Sequence, residues 1–248
     1  DPKRVLKLLE EACRSSLPLA CFKLGMKLNS GFGGKLNTTL GLSLIQEACI
    51  GGMGLACYEE ARWREAHEVN FDSLQLFENG CSLKNAESCL SLGKKLQTTA
   101  SNMTLKTSAA KSFEKACQFG SDNGCVEHAN LMDKGFGIVQ NKPKALELFK
   151  QYCNQGNQLA CAFYGKKSFL QNSSVKKRER ALSLMEQACE SNIGNACSWA
   201  ALALEPSQPP KAARLAKRGC DLNASIGCAL YGEMLNNGSG IAKDKKKA

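Results

Sequence analysis

Histidine is nearly missing from this chain: His67 and His128 are the only two among 248 residues. Zinc sites that pair cysteine with several imidazoles are therefore poorly supplied. No apolar run is long enough to span a membrane, and no secretory leader pattern is present. The sequence opens at Asp1-Pro2 as if entering a helix, which fits a leader removed ahead of this numbering. Acidic residues are short as well, 23 against 33 lysines and arginines, for a formal charge of +10. An unpaired cysteine is the last absence. The fourteen cysteines fall into seven pairs, each with the same offset of eight: 13 and 21, 49 and 57, 81 and 89, 117 and 125, 153 and 161, 189 and 197, 220 and 228.

Successive first cysteines are 36, 32, 36, 36, 36 and 31 residues apart, so one unit is repeated in tandem with two shortened copies. A unit of that size buries too little to fold alone, because chains under about 40 residues usually need staples. One continuous solenoid over residues 1–248 is expected, with about seven units. Gly238 to Ala248 (GSGIAKDKKKA) matches Gly135 to Ala145 (GFGIVQNKPKA) in its place after a second cysteine. The start of an eighth unit is read there, and the chain is expected to be a fragment or a trimmed mature protein.

Each unit reads as two helices. Counted back from the first cysteine, positions eight, five, four and one hold Val5, Leu8, Leu9 and Ala12, then in later units Ala145, Leu148, Phe149 and Tyr152, or Ala181, Leu184, Met185 and Ala188. This spacing places one apolar stripe on an amphipathic helix, helix A. Two cysteines eight apart on one unbroken helix would stand about 12 Å apart along its axis, whereas a disulfide needs alpha carbons within about 7 Å. Turn formers such as Gly51-Gly52, Gly156-Asn157 and Asn223 fall between them. The expected pairs are thus Cys13–Cys21, Cys49–Cys57, Cys81–Cys89, Cys117–Cys125, Cys153–Cys161, Cys189–Cys197 and Cys220–Cys228, each joining helix A to a second helix, helix B. Metal binding is the competing reading, but zinc sites favour cysteines two to four apart. No metal or cofactor is expected. Helix B carries small residues one before the second cysteine (Ala20, Ser88, Gly124, Gly227) and four after it (Gly25, Gly93, Gly165, Gly232). Glycine in mid-helix costs up to about 1 kcal/mol, so its recurrence implies a neighbour packed too close for a side chain.

These cysteine pairs, the small residue after each, the G-x-G at Gly31, Gly135 and Gly238, and the KALELF-type helix A resemble the Sel-one-like repeat (SLR) family. The closest likeness is to its cysteine-rich branch, the Helicobacter cysteine-rich proteins. The resemblance implies an all-α, TPR-like right-handed superhelix of αα-hairpins with one disulfide per hairpin, working as a secreted or periplasmic adaptor. Some members of that branch are described as penicillin-binding proteins or weak beta-lactamases, so a hydrolase acting on cell-wall-type substrates is the alternative function. The chain departs from the pattern at Glu60, where other units hold Leu24, Leu92 or Tyr164, and in two shortened linkers.

Chemistry is thinly represented. Fragments of the serine beta-lactamase signature occur at Ser91-Leu-Gly-Lys94, Ser108-Ala-Ala-Lys111, Ser121-Asp-Asn123 and Lys106-Thr-Ser108, but crowded together and in the wrong order. His128, Trp63 and Trp199 read as packing residues, and His67 as a solvated one. Sequons stand at Asn37, Asn102, Asn172, Asn223 and Asn237. Residues 1–124 carry 15 basic and 13 acidic side chains, net +2, and residues 125–248 carry 18 and 10, net +8. Fully paired cysteines imply an oxidising compartment, outside the cell or periplasmic, with the mitochondrial intermembrane space as alternative. That location disfavours nucleic acid as the basic half's partner. A protein or extended acidic peptide is expected, or an anionic glycan or cell-wall polymer. On helix A the positions outside the stripe show Glu10, Glu11 and Glu47 early and Lys144, Lys150, Arg180, Lys211, Arg214, Lys217 and Arg218 late. The basic set is the expected partner-binding row. A non-enzymatic, disulfide-stapled interaction scaffold is the expected function.

Overall fold

The structure, a computed structural model, describes residues 1–34, 36–171 and 174–248. Asn172 lies outside them. The described residues form fourteen α-helices and no strand, taken in pairs: α1 (Pro2–Arg14) with α2 (Pro18–Asn29), α3 (Thr38–Ile50) with α4 (Gly54–His67), α5 (Leu74–Ser82) with α6 (Ala86–Thr99), and α7 (Met103–Gln118) with α8 (Asp122–Lys134). Then come α9 (Lys142–Asn154) with α10 (Gln158–Gln171), α11 (Val175–Glu190) with α12 (Gly194–Leu204), and α13 (Pro209–Asp221) with α14 (Ser225–Asn237). Odd-numbered helices are helix A and even-numbered ones helix B. Two compact units are present, Asp1–Leu131 with Gly135–Val139, and Met132–Lys134 with Gln140–Ala248.

One turn, repeated seven times, brings each cysteine pair together. The third residue after each first cysteine has positive φ: Ser16, Gly52, Lys84, Gly120, Gly156, Asn192 and Asn223. The amide of the next residue then donates back to the carbonyl one before that cysteine, as in Leu17 to Ala12, Asn157 to Tyr152 and Ala224 to Gly219. This is the Schellman closure of a helix C-terminus, and the residue that completes it is also the N-cap of helix B. Reversal in so few residues leaves the paired alpha carbons 4.3 to 4.7 Å apart, and all seven expected disulfides are formed.

The small residues face two neighbours. A Cβ on Gly124 would stand 2.6 Å from the Ala116 side chain of its own hairpin, whereas one on Gly25 or Gly165 would stand 2.6 or 2.8 Å from the Gly41 or Ala181 carbonyl of the next helix A. Between these contacts lie the largest buried side chains. Ile45, Phe77, Phe113, Phe149 and Met185, each four before a first cysteine, are at most 2% exposed.

Residues five before the first cysteine, such as Leu44, Leu148, Leu184 and Leu215, are partly buried, and Leu44 and Leu215 pack against the core clusters. In α1, Val5 and Leu8 are 38% and 57% exposed. The shortened copies lose helix instead of distorting the turn: α5 has nine residues, and α12 has eleven before the Pro209-Pro210 start of α13. Two sequon asparagines, Asn37 and Asn102, are N-caps of α3 and α7.

Closing a nine-residue loop stabilises by about 2.5 kcal/mol in the chain-entropy treatment, so seven bridges have an additive ceiling near ~18 kcal/mol, above the ~5 to 15 of an ordinary domain. Complete reduction in native buffer should therefore unfold the protein. Retention of the oxidised far-UV circular dichroism after full thiol release would refute this. At Lys84, a side chain occupies a left-handed position that glycine fills in other copies, at a cost of about 1 kcal/mol. Lys84→Gly should raise stability by about 0.5 to 1 kcal/mol, read as a higher Tm.

Candidate functional site

Three clefts open between consecutive A helices above the helix B that joins them, each within one compact unit, and the same repeat positions line all three. In each, the residue three before the first cysteine forms one wall, the residues three and seven after the second cysteine form the floor, and the next helix A supplies the other wall. The first cleft, on α1, α2 and α3, has Glu10, paired with Arg14 at 2.6 Å, on one wall and Glu47 on the other, above Leu24 and Leu28. The cleft on α5, α6 and α7 has Glu78 opposite Lys111 and Lys115 above Leu92 and Leu96. The cleft on α9, α10 and α11 has Lys150 opposite Lys177 and Arg180 above Tyr164 and Ser168. Wall charge thus differs from cleft to cleft: two carboxylates with one guanidinium, one carboxylate with two ammonium groups, and basic side chains alone.

Of the expected basic row, the structure brings Lys150 and Arg180 into one cleft. The others are deployed differently. Lys144 pairs with Glu147 at 2.9 Å, Lys217 with Asp221 at 2.7 Å, and Lys211 with Glu186 of α11 at 2.5 Å. The hydrogen-bonded Asp221 carboxylate also holds the Lys217 ammonium above the usual lysine range. Arg218 donates to the Glu190 carbonyl and Asn192 Oδ1, tying α13 to the end of α11. Arg214 is exposed on α13. Lys177 was not expected at the cleft. It precedes the stripe, and it reaches the wall because α11 starts early and runs for sixteen residues.

The other candidates are structural in geometry. His128 donates from Nδ1 to the Ala110 carbonyl at 3.3 Å, and His67 stacks on Trp63. Ser121 caps α8, accepting from the Gly124 amide, so the Ser-Asp-Asn fragment is a helix start. Ser91 and Lys94 lie on α6, while Lys106, Ser108 and Lys111 lie on α7. The one cluster of potential metal ligands found among the described residues is Cys13, Cys21 and Glu47, and both of its sulfurs are committed to a disulfide. No helix among the described residues is long and apolar enough to cross a membrane.

The Sel1 repeat family model matches residues 18–53, 124–157, 158–193 and 225–248, together more than half of the chain. The chain belongs to the Sel1 repeat family. No curated protein matches its sequence. Among solved structures it is similar to a protective antigen of uropathogenic Escherichia coli strains displaying an SLR fold, at 18% identity and TM-score 0.64 over 98% of this chain and 62% of that one. This chain therefore spans less than two thirds of the antigen's length. A Sel1 repeat protein from Oxalobacter formigenes aligns at 13% identity and TM-score 0.68 over 82% of this chain and 85% of that one. A putative Sel1 repeat protein from Klebsiella pneumoniae aligns at 15% identity and TM-score 0.53, over 78% and 98%. At such identities these likenesses establish the fold. Segments 18–53 and 158–193 begin at the first residue of a helix B, 124–157 begins two residues into one, and all three end just after the following helix A, so Cys153–Cys161 joins the end of one matched repeat to the start of the next.

One Sel1 repeat places charge on the cleft floor. Glu60, 2% exposed, accepts from Arg64 Nε at 2.9 Å, and Arg64 also donates to Glu68 and lies over Phe71. These two residues stand where Leu24 and Leu28 stand in the first repeat, so the departure at Glu60 is compensated by its partner one turn on. Arg64→Ala should strand a buried carboxylate and cost about 2 to 4 kcal/mol, whereas Glu60→Leu with Arg64→Leu should be near neutral. Equal denaturation midpoints for Arg64→Ala and the parent protein would refute the compensation.

Proposed function

We propose that residues 1–248 act as one secreted or periplasmic disulfide-stapled adaptor whose helix A clefts bind extended segments of protein partners. Sel1 repeats generally mediate protein interaction. Seven disulfides and no free cysteine point to an oxidising, extracytoplasmic compartment. The observation that carries the reading is the reuse of the same positions to build clefts of different charge. A repeated backbone with varied walls suits recognition of successive side chains along an extended peptide. The cleft of Lys150, Lys177 and Arg180 would take acidic residues; among the described residues, neither Lys150 nor Arg180 has an ion-pair partner. These charges are exposed and screened within about 8 Å at physiological salt, so they steer association more than they add affinity.

A fluorescein-labelled peptide alternating glutamate and alanine, followed by anisotropy, tests the basic cleft. Lys150→Glu with Arg180→Glu should weaken binding at least about tenfold, mainly through a slower on-rate, and should flatten its salt dependence. Leu24→Ala, which alters the floor of the first cleft and adds no charge, should leave the affinity of this peptide unchanged. The reading fails if the glutamate peptide binds no better than its lysine counterpart, or if the double reversal leaves rate and salt slope intact. Preferential capture of a sulfated glycan over the peptide would likewise overturn it in favour of a polymer ligand.

A further inference from the structure

A second surface lies on the helix B side and owes nothing to the clefts. Neighbouring B helices meet through the residue eight after one second cysteine and the residue six after the next. At two junctions these positions form an ion pair: Glu65 of α4 with Lys95 of α6 at 2.7 Å, and Asp133 of α8 with Lys167 of α10 at 2.6 Å. Between α10 and α12 the same two positions are Phe169 and Ala203. An aromatic ring and a methyl group have replaced a salt bridge, and an apolar pocket of about 150 Å³ opens between them, with Trp199 and Leu202 on its wall and Met185 among its lining residues.

The pocket is apolar but has a cationic edge. Lys166 Nζ lies 4.4 Å from the Trp199 ring centroid, and the Arg178 guanidinium lies 4.3 Å from that of Phe169. Lys166 has no ion-pair partner among the described residues. Burial, together with Lys167 and Lys134, pushes its ammonium below the usual lysine range, and Asp133 pulls only the other way. Among the described residues, the buried Trp199 indole nitrogen has no hydrogen-bond acceptor. Leu170 and Leu202, by contrast, leave 72% and 46% of their surface to solvent. Room for one side chain, an exposed apolar rim and an unneutralised cation beside it define a complement.

We infer that the pocket between α10 and α12 docks a bulky apolar side chain of a protein partner whose next residue is acidic, with Phe169, Trp199 and Leu202 receiving the side chain and Lys166 its carboxylate. Lys166 is pinned over the ring that forms the pocket wall, so the carboxylate must lie within a residue of the apolar group. An isolated acidic patch would not fill the pocket. An isolated apolar knob would leave Lys166 uncompensated as it loses water.

The probes are the capped dipeptides acetyl-Leu-Glu-amide, acetyl-Leu-Gln-amide and acetyl-Ala-Glu-amide. The readout is the indole N–H region of a nitrogen–proton correlation spectrum, which holds only Trp63 and Trp199. Acetyl-Leu-Glu-amide should move the Trp199 peak saturably and leave Trp63 in place, with the other two at least about fivefold weaker. Lys166→Gln should erase the preference for glutamate over glutamine. Phe169→Asp with Ala203→Lys, which rebuilds the ion pair of the Asp133–Lys167 junction, should abolish binding with the circular dichroism unchanged. The inference is overturned if Trp199 does not respond, if the glutamine probe binds as well as the glutamate one, or if Lys166→Gln leaves the preference intact. Because Lys150 and Arg180 are unaltered throughout, failure here leaves the cleft reading standing, and the reverse also holds.

Discussion

Everything in this molecule depends on a staple placed where the packing is thinner. Helix B meets the following helix A over glycine and alanine with backbone nearly in contact, as at Gly25 against Gly41 and Gly165 against Ala181. At α2–α3, α6–α7, α10–α11 and α12–α13 this contact is more extensive than the one within the flanking hairpins. The disulfide lies across the junction within the hairpin, as Cys153–Cys161 does between the end of one matched Sel1 repeat and the start of the next. It forms because a single left-handed residue reverses the chain within the Schellman turn. Where the packing is extensive, no bond is needed; where it is thinner, covalent closure removes much of the entropy that would otherwise favour opening.

The cysteine offset, the small residues of helix B and the stripe on helix A made the repeat legible, because each is a local pattern with one geometric solution. A helical wheel shows which side of a helix is apolar, but not how deeply each position is covered: Leu44 and Leu184 stay partly buried beside the enclosed Ile45 and Met185. The charged row was half legible. That Lys150 and Arg180 meet across a cleft follows from the register of α9 against α11, which spacing along either helix does not contain. The Lys217–Asp221 pair, four apart on one helix, could have been read from sequence. The Lys211–Glu186 pair, joining α13 to α11, could not.

Repetition also makes departures informative. At a junction whose spacing is set by a disulfide on one side and a glycine on the other, a side chain can change without moving the backbone. The floor pair exchanges Leu24 and Leu28 for Glu60 and Arg64, and the first of the two stays buried while the second stays partly buried. The junction pair exchanges Asp133 and Lys167 for Phe169 and Ala203 and opens a pocket. Comparing copies within one chain supplies the reference that a single site lacks. A substitution whose partner changes with it keeps the packing, whereas a large-to-small replacement leaves space.

Helix α10 shows how two surfaces coexist on one element. Tyr164 and Ser168 form the floor of the basic cleft, and Lys166, Phe169 and Leu170 line the pocket. Residues two apart on a helix point about 200° from each other, so the two sets occupy opposite faces. Helix α10 is tied to α9 through Cys153–Cys161 and rests Gly165 on the Ala181 carbonyl of α11, so it has little room to rotate or slide. A ligand on one face therefore has no second arrangement of the helix to favour, and coupling between sites needs one. What the staples provide beyond stability is independence: each face can be varied without disturbing the other.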